Sequence, residues 1–239
     1  MNNERNKFWF RIGAEGVVIV SSILFAFAID AWWAERQDRQ TESDDLDRLH
    51  AEFIWNRDQI RLDGNPTGRE TASKEMYQLV SDHLGRDEPL AIQESLIRQV
   101  TGTPTFDAVT PVLDGLITSG RLENIHDQDV LAALTFWQRM LKQVEETELG
   151  ARALADQQLV PALAERGNMG PAFAADAPLK KDNPFTDDAS DGNVLLIVDD
   201  ELVGLVGHRV GRTVFVSRSL SSLKAAAEDV VIAIENAQK

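Results

Sequence analysis

Hydrophobic and polar positions change their spacing several times along the chain, and each change marks an element. From Phe8 to Trp33 there is almost no polar face: Gly16 to Ile29 is fourteen residues without a charge, with Phe8-Trp9-Phe10 ahead of it and Trp32-Trp33 behind. A helix that is apolar all round needs apolar surroundings on every side. Trp9 to Trp32 covers about 35 Å at 1.5 Å per residue. That length matches a hydrocarbon core of roughly 30 Å plus the interfacial layers that Trp prefers. The expectation is a membrane-spanning helix over 12–33, a short tail over 1–11, and Trp9, Trp32 and Trp33 as interfacial anchors. Two other readings stay open. One is a helix buried in a soluble protein, which needs no aromatic collars. The other is a cleaved signal peptide, with Arg5, Lys7 and Arg11 as its basic region and Ala26-Phe27-Ala28 as the cleavage site.

Past Trp33 the pattern becomes helical and one-sided. No Gly or Pro interrupts Ala31 to Asp63, and Leu46, Leu49, Phe53 and Ile60 recur at 3-4-7 spacing with Asn56 in the intervening slot. This predicts a helical stalk over 34–63 with a packing stripe, ended by Gly64-Asn65-Pro66-Thr67-Gly68. A second helix is expected over 70–84, with Met76, Leu79, Val80 and His83 on one face and His83 as a half-buried packing residue. A third runs from Pro89 to Val100 with Ile92, Leu96 and Val100 as its stripe. A short helix follows over 107–119, its start left open by Pro111 and its end set by Gly120 as a left-handed cap. Asp127 caps the longest segment, 128–166, where Val130, Leu134, Trp137, Leu141 and Val144 keep a 3.5-residue period; Pro161 should kink or end it. Residues 167–192 are rich in Pro, Gly and Asp and read as a long loop.

The last segment, 193–239, is open between two periods. Its Val- and Gly-rich start, 194–217, can pass for a strand hairpin. Yet Leu195, Val198, Leu202, Leu205 and Val206, and then Leu220, Leu223, Ala227, Val230, Val231 and Ile234, recur at helical spacing. Helix is the expectation. Gly204, Gly207 and Gly211 would each weaken it by about 1 kcal/mol relative to Ala while letting another helix approach closely. The fold class expected is all-α: one N-terminal transmembrane helix that continues into a stalk, and an extramembrane antiparallel helical bundle over 64–239. Its core should include Leu49, Phe53, Leu79, Leu96, Leu113, Leu116, Leu122, Ile125, Leu134, Trp137, Leu141 and Leu223.

Charge sharpens this picture. Residues 1–33 hold three acidic and three basic groups, so the net charge of −15 falls on 34–239, with 36 acidic against 21 basic residues. An acidic domain lacks the basic footprint that nucleic acid requires, and it does not lie flat on anionic lipid. There is no cysteine, hence no disulfide frame and no thiolate site. Basic residues are nearly balanced across the span, with Arg36, Arg39 and Arg48 following it. The short basic tail is the easier one to leave in the cytoplasm. The expected location is the bacterial inner membrane, single-pass, with the C-terminal domain in the periplasm.

Candidate chemistry is sparse. Asp187-Asp188-x-x-Asp191 matches a magnesium-diphosphate pattern but stands in a loop just before an expected helix start, where carboxylates cap. As a calcium loop the same stretch fails at Ala189 and Val198. His126-Asp127-x-Asp129 has no second histidine nearby, and Asp127 has a cap to make. No glycine-rich phosphate loop, nucleophile elbow or helical histidine pair is present. The expectation is therefore no catalytic residue, no metal and no cofactor. Within the span, Ser22 and Ala26 are small and four apart, and Asp30 follows on the same side. That face is the candidate for packing against a partner helix, with Asp30 at its rim.

Glu15-Gly16 followed by the apolar run, then Asp30-Ala31-Trp32 and Glu35-Arg36-x-x-Arg39, resembles the start of a large uncharacterised family of bacterial single-span proteins. Ser119-Gly120-Arg121-Leu122-x-x-Ile125, followed by Leu131, Leu134 and Trp137, resembles the same family. The resemblance implies an anchored, all-helical domain with no assigned activity, and carries over no catalytic residue. The function expected is a non-enzymatic accessory or scaffold subunit of a membrane complex, with the lipid bilayer and a protein partner or second copy as its contacts and no nucleic acid. The alternatives are a periplasmic ligand-sensing bundle and, after it, a metal-dependent enzyme.

Overall fold

The computed structural model describes the backbone of residues 2–62, 66–103, 105–170 and 192–239, and the side chains of 21–60, 68–103, 105–170 and 192–239. The described chain is mostly helical, in the order α1 (Asn2–Leu62), α2 (Pro66–His83), β1 (Leu90–Gln93), α3 (Glu94–Thr101), α4 (Pro111–Ser119), a 3₁₀ turn (Arg121–Asn124) and α5 (Gln128–Leu154). A π-helical turn (Ala155–Leu159), α6 (Val160–Arg166), β2 (Asn193–Leu196) and α7 (Asp200–Ala237) follow. Two compact units make up the chain: 1–49 and 111–126 with Gln238, and 50–110 and 127–237 with Lys239.

In the first unit, α1 carries the expected stripe residues Leu46 and Leu49, both buried, and α4 buries Leu113 and Leu116. Pro111 opens α4, so the expected helix over 107–119 starts four residues later than its apolar pattern suggested; the fixed φ and missing N–H of Pro suit a first helical position. Gly120 adopts φ 72°, the left-handed conformation expected of it, and turns the chain into the 3₁₀ turn. Arg121 Nη1 donates to both oxygens of the buried Asp45 at 3.0 and 3.1 Å.

The second unit is a bundle in which α7 lies along α2 and α5. Phe53 and Trp137 meet edge to face at 4.8 Å between ring centroids, both fully buried. A second cluster joins Met76 and Val80 of α2, Ile97 and Val100 of α3, Leu159 and Leu163, and Leu202 and Val206 of α7. At Gly207 a Cβ would stand 3.1 Å from the Tyr77 ring, the close approach expected there, whereas Gly204 and Gly211, of which the same was expected, meet nothing within 4 Å.

The all-α expectation is corrected at one place. β1 and β2 form an antiparallel two-stranded ribbon, with Leu90 opposite Leu196 and Gln93 opposite Asn193. Val194 and Leu196 point in and Leu195 and Ile197 point out, a period of two hidden inside a run that also fits a helix. The third helix therefore begins at Glu94 and not at Pro89, while Ile92 is buried by the ribbon. The open question over 193–217 resolves as four residues of strand and then helix from Asp200. Asp199 caps that helix, its Oδ1 accepting from Leu202 N at 2.8 Å.

The long segment stays helical through Arg166 and is not ended by Pro161. The π turn falls just before it, with Val160 N–H reaching back five residues to Ala155 O, and this wider turn accommodates the ring and the missing donor. Three expected core residues are not buried: Leu79, Leu122 and Leu141. On α2 the inward row is Ala72, Met76, Val80 and His83, which leaves Leu79 37% exposed one step off the stripe. His83 is more deeply buried than expected, and its Nε2–H donates to Glu88 O at 2.6 Å. Most of the expected loop at 167–192, and Gly64 and Asn65 of the expected turn, lie outside the described residues, while Pro66, Thr67 and Gly68 belong to α2, which starts four residues before the expected Glu70 because Pro suits a first helical position.

Candidate functional site

Every residue from 21 to 40 on α1 is exposed. That stretch includes Ile23, Leu24, Phe25, Phe27 and Ile29, and then Trp32 and Trp33 at 56% and 62% exposure. The two indoles tilt against each other at 6.4 Å, and the Arg36 guanidinium stands 5.9 Å from the Trp32 ring, so a cation caps the aromatic pair. Ser22, Ala26 and Asp30 follow one another at four-residue steps on this exposed helix. No helix among the described residues is long and apolar enough to cross a membrane. The side chains of the expected span, 12–33, are described only from residue 21, and those of Trp9, Arg11 and Glu15 lie outside the described ones.

The other sequence candidates have structural roles or fall outside the described residues. Asp127 Oδ1 accepts from Asp129 N at 2.9 Å and Val130 N at 3.0 Å, as a cap. His126 Nδ1 and its backbone N–H both turn to Glu42. Among the described residues, no three His, Asp or Glu side chains are placed to hold a metal ion. Asp187, Asp188 and Asp191 lie outside them. A surface hollow of about 340 Å³ between α2 and α3 is lined by Thr71, Glu75, Gln93, Ser95 and Gln99, a carboxylate with amides and hydroxyls.

A buried polar cluster in the second unit escaped the sequence reading. Arg209 of α7, 2% exposed, donates from Nε to Val100 O (2.7 Å), from Nη1 to Ala151 O (2.9 Å), and from Nη2 to Gly102 O (2.7 Å) and Thr103 Oγ1 (3.2 Å). Arg69 Nη1 adds a second bond to Gly102 O at 3.0 Å. Burial, with the neighbouring Arg69 charge, pulls the Arg209 guanidinium down to about 10. The carbonyls at the C-terminal end of α3 give this cation a favourable dipole in place of a carboxylate partner. Glu148 of α5, 3% exposed, accepts from Phe106 N with both oxygens, at 3.2 and 3.3 Å. Burial pushes its carboxyl up to about 7. Asn56 of α1 exchanges two bonds with Val109, at 2.7 and 2.9 Å, as a strand partner would.

The signal for these residues was present but neutral. Asn56 stood in a core slot of its stripe, Glu148 lies between Val144 and Ala151, and Arg209 lies between Val206 and Thr213. Polar residues at apolar-face positions mark a buried network only once the acceptors they meet are known. Comparison of the chain with protein-family models, with curated proteins and with solved structures finds no match in any of the three.

Proposed function

We propose that this chain is a non-enzymatic, single-pass membrane protein of the bacterial inner membrane, belonging with the single-span family that it resembles. Residues 12–33 anchor it, and its acidic helical domain, exported to the periplasm, binds another protein as an accessory or scaffold subunit of a membrane complex. One observation carries the reading: among the described residues, Ile23, Leu24, Phe25, Phe27, Ile29, Trp32 and Trp33 of α1 are exposed. Apolar surface on this scale, on all sides of one helix, is stable only against lipid or another protein. Gly16 to Val20 extends the same uncharged run toward Trp9, and the helical path from Trp9 to Trp32, about 35 Å, matches a bilayer core with its interfacial layers. The −15 charge keeps the remainder solvated and directs recognition toward a partner with basic or apolar contacts.

Within the anchor, Ser22, Ala26 and Asp30 form the partner-facing side. Ala26→Leu fills that side and abolishes co-purification of partners in mild detergent; Asp30→Asn weakens it less, and Ala28→Leu on another side leaves it intact. If all three variants recover the same partners as the parent, the helix is an anchor only. If the lone chain emerges with a stoichiometric small molecule, the reading moves to ligand sensing. A reporter active only after export, fused after Lys239, is expected to be active; activity of a cytoplasm-only reporter there would reverse the topology.

A further inference from the structure

The irregular residues 105–110 cross the second unit between α3 and α4 without regular backbone pairing. Phe106 is buried among them, 6% exposed, and two buried side chains hold this stretch: Asn56 on Val109 and Glu148 on Phe106. The two clamps differ in kind. Asn56 is neutral and fully reciprocated. Glu148 presents two oxygens to a single shared N–H, and no other hydrogen bond reaches its carboxyl group among the described residues. A buried carboxylate normally needs two or three donors or a cation.

We propose that Glu148 is a pH-operated latch, holding residues 105–110 closed over α5 while its carboxyl carries a proton and releasing them when it ionises. In the closed state the protonated acid still accepts from Phe106 N and exposes no charge to the apolar surroundings. Ionised, it has one shared donor against the desolvation of a full charge, and opening the stretch lets water reach it. The charges around it do not offset this. Arg152, one turn on along α5, favours the anion, while Asp107 on the stretch itself and Glu145 on α5 oppose it. From α7, Arg209 is committed to Ala151 O and Arg212 lies against Gly150; from α2, Arg69 is committed to Gly102 O. The α1 contribution, Asn56, is neutral.

The sign follows from burial, which raises the closed-state carboxyl to about 7 from its ordinary 4.5. Closing is favoured while the proton is on; the advantage is full below about 4.5, the ordinary value regained on opening, and is lost as pH rises from there through about 7. Across that window the opening constant climbs toward tenfold per pH unit, levelling above about 7 at about 300-fold, the factor corresponding to that change in pKa.

The test is hydrogen exchange of the full chain, read by mass spectrometry on peptides covering 105–110 from about pH 4 to about pH 8.5, spanning the window between the two values, and corrected for intrinsic exchange. Protection is expected to fall roughly sevenfold between pH 5 and 6 and to level above about pH 7.5, while peptides from the middle of α7 stay constant. Glu148→Gln, a neutral isostere that still accepts from Phe106 N, should keep the stretch protected throughout. Flat protection in the parent, or an equal loss in Glu148→Gln, would overturn the latch; the parent profile decides the matter by itself if the variant does not fold.

Discussion

Replacing Arg209 by Met tests whether the buried polar cluster holds the second unit together. Met keeps the apolar stem and removes every donor. The consequence depends on which acceptors have another partner. Gly102 O keeps the bond from Arg69 Nη1, and Ala151 O keeps the one from Ala155 N. Val100 O and Thr103 Oγ1 lose the charged donor that reached them at 2.7 and 3.2 Å. An unsatisfied buried polar group costs about 1–3 kcal/mol, and part of this is recovered because the guanidinium no longer has to be desolvated. The net loss expected is about 3 kcal/mol. With a urea slope of roughly 2–3 kcal/mol/M, the unfolding midpoint of the purified full chain should fall by about 1–1.5 M. Arg209→Lys should recover little, because one compact ammonium cannot fork to acceptors on α3 and α5 together. A midpoint for Arg209→Met within about 0.3 M of the parent, on an unchanged slope, would refute the argument.

Further expectations rest on independent contacts. Gly204→Ala and Gly211→Ala meet open space and should each stabilise α7 by up to about 1 kcal/mol, while Gly207→Ala, pressed against Tyr77, should not; thermal unfolding of the three separates the cases. Trp137 Nε1 is buried with no partner among the described residues, so Trp137→Phe, which keeps the edge-to-face contact with Phe53, should change stability by less than about 1.5 kcal/mol. Trp137→Ala should cost about 3–5 kcal/mol by opening a cavity. Arg166 holds the Asp199 carboxyl below its ordinary range, with the capping bond from Leu202 N adding to the effect. That stabilisation is present above the unfolded value near 4 and is lost as pH falls through the lower folded value, so Asp199→Asn should flatten the acid limb of a stability–pH curve below about pH 4.

Where one periodic face served one packing surface, the sequence was a sufficient guide. Leu46, Leu49, Phe53 and Ile60 are buried as their spacing required, and Gly120 and Asp127 cap as their types required. The ribbon was not legible because four residues of strand leave too little alternation to outweigh a helical pattern that truly resumes at Asp200. Its partner, Leu90 to Gln93, lies a hundred residues away, and pairing over that distance leaves no local signature. Arg209 and Glu148 were illegible for a related reason: their acceptor and donor sit on irregular backbone around 100–110, whose path depends on the whole unit. Pro161 was read correctly as a disturbance, but the π turn that absorbs it is a backbone solution with no residue signature of its own.

The account turns on whether residues 12–33 hold the chain in a bilayer. The direct measurement is fractionation of cells producing the full chain, followed by an alkaline carbonate wash of the membranes, in parallel with a variant lacking 12–33. The account predicts that the full chain stays in the washed membrane pellet and that the deletion moves it to the soluble fraction. Full chain found free in the soluble fraction, or released by the wash, would contradict it and assign the exposed apolar stretch from Ile23 to Trp33 to a protein partner alone.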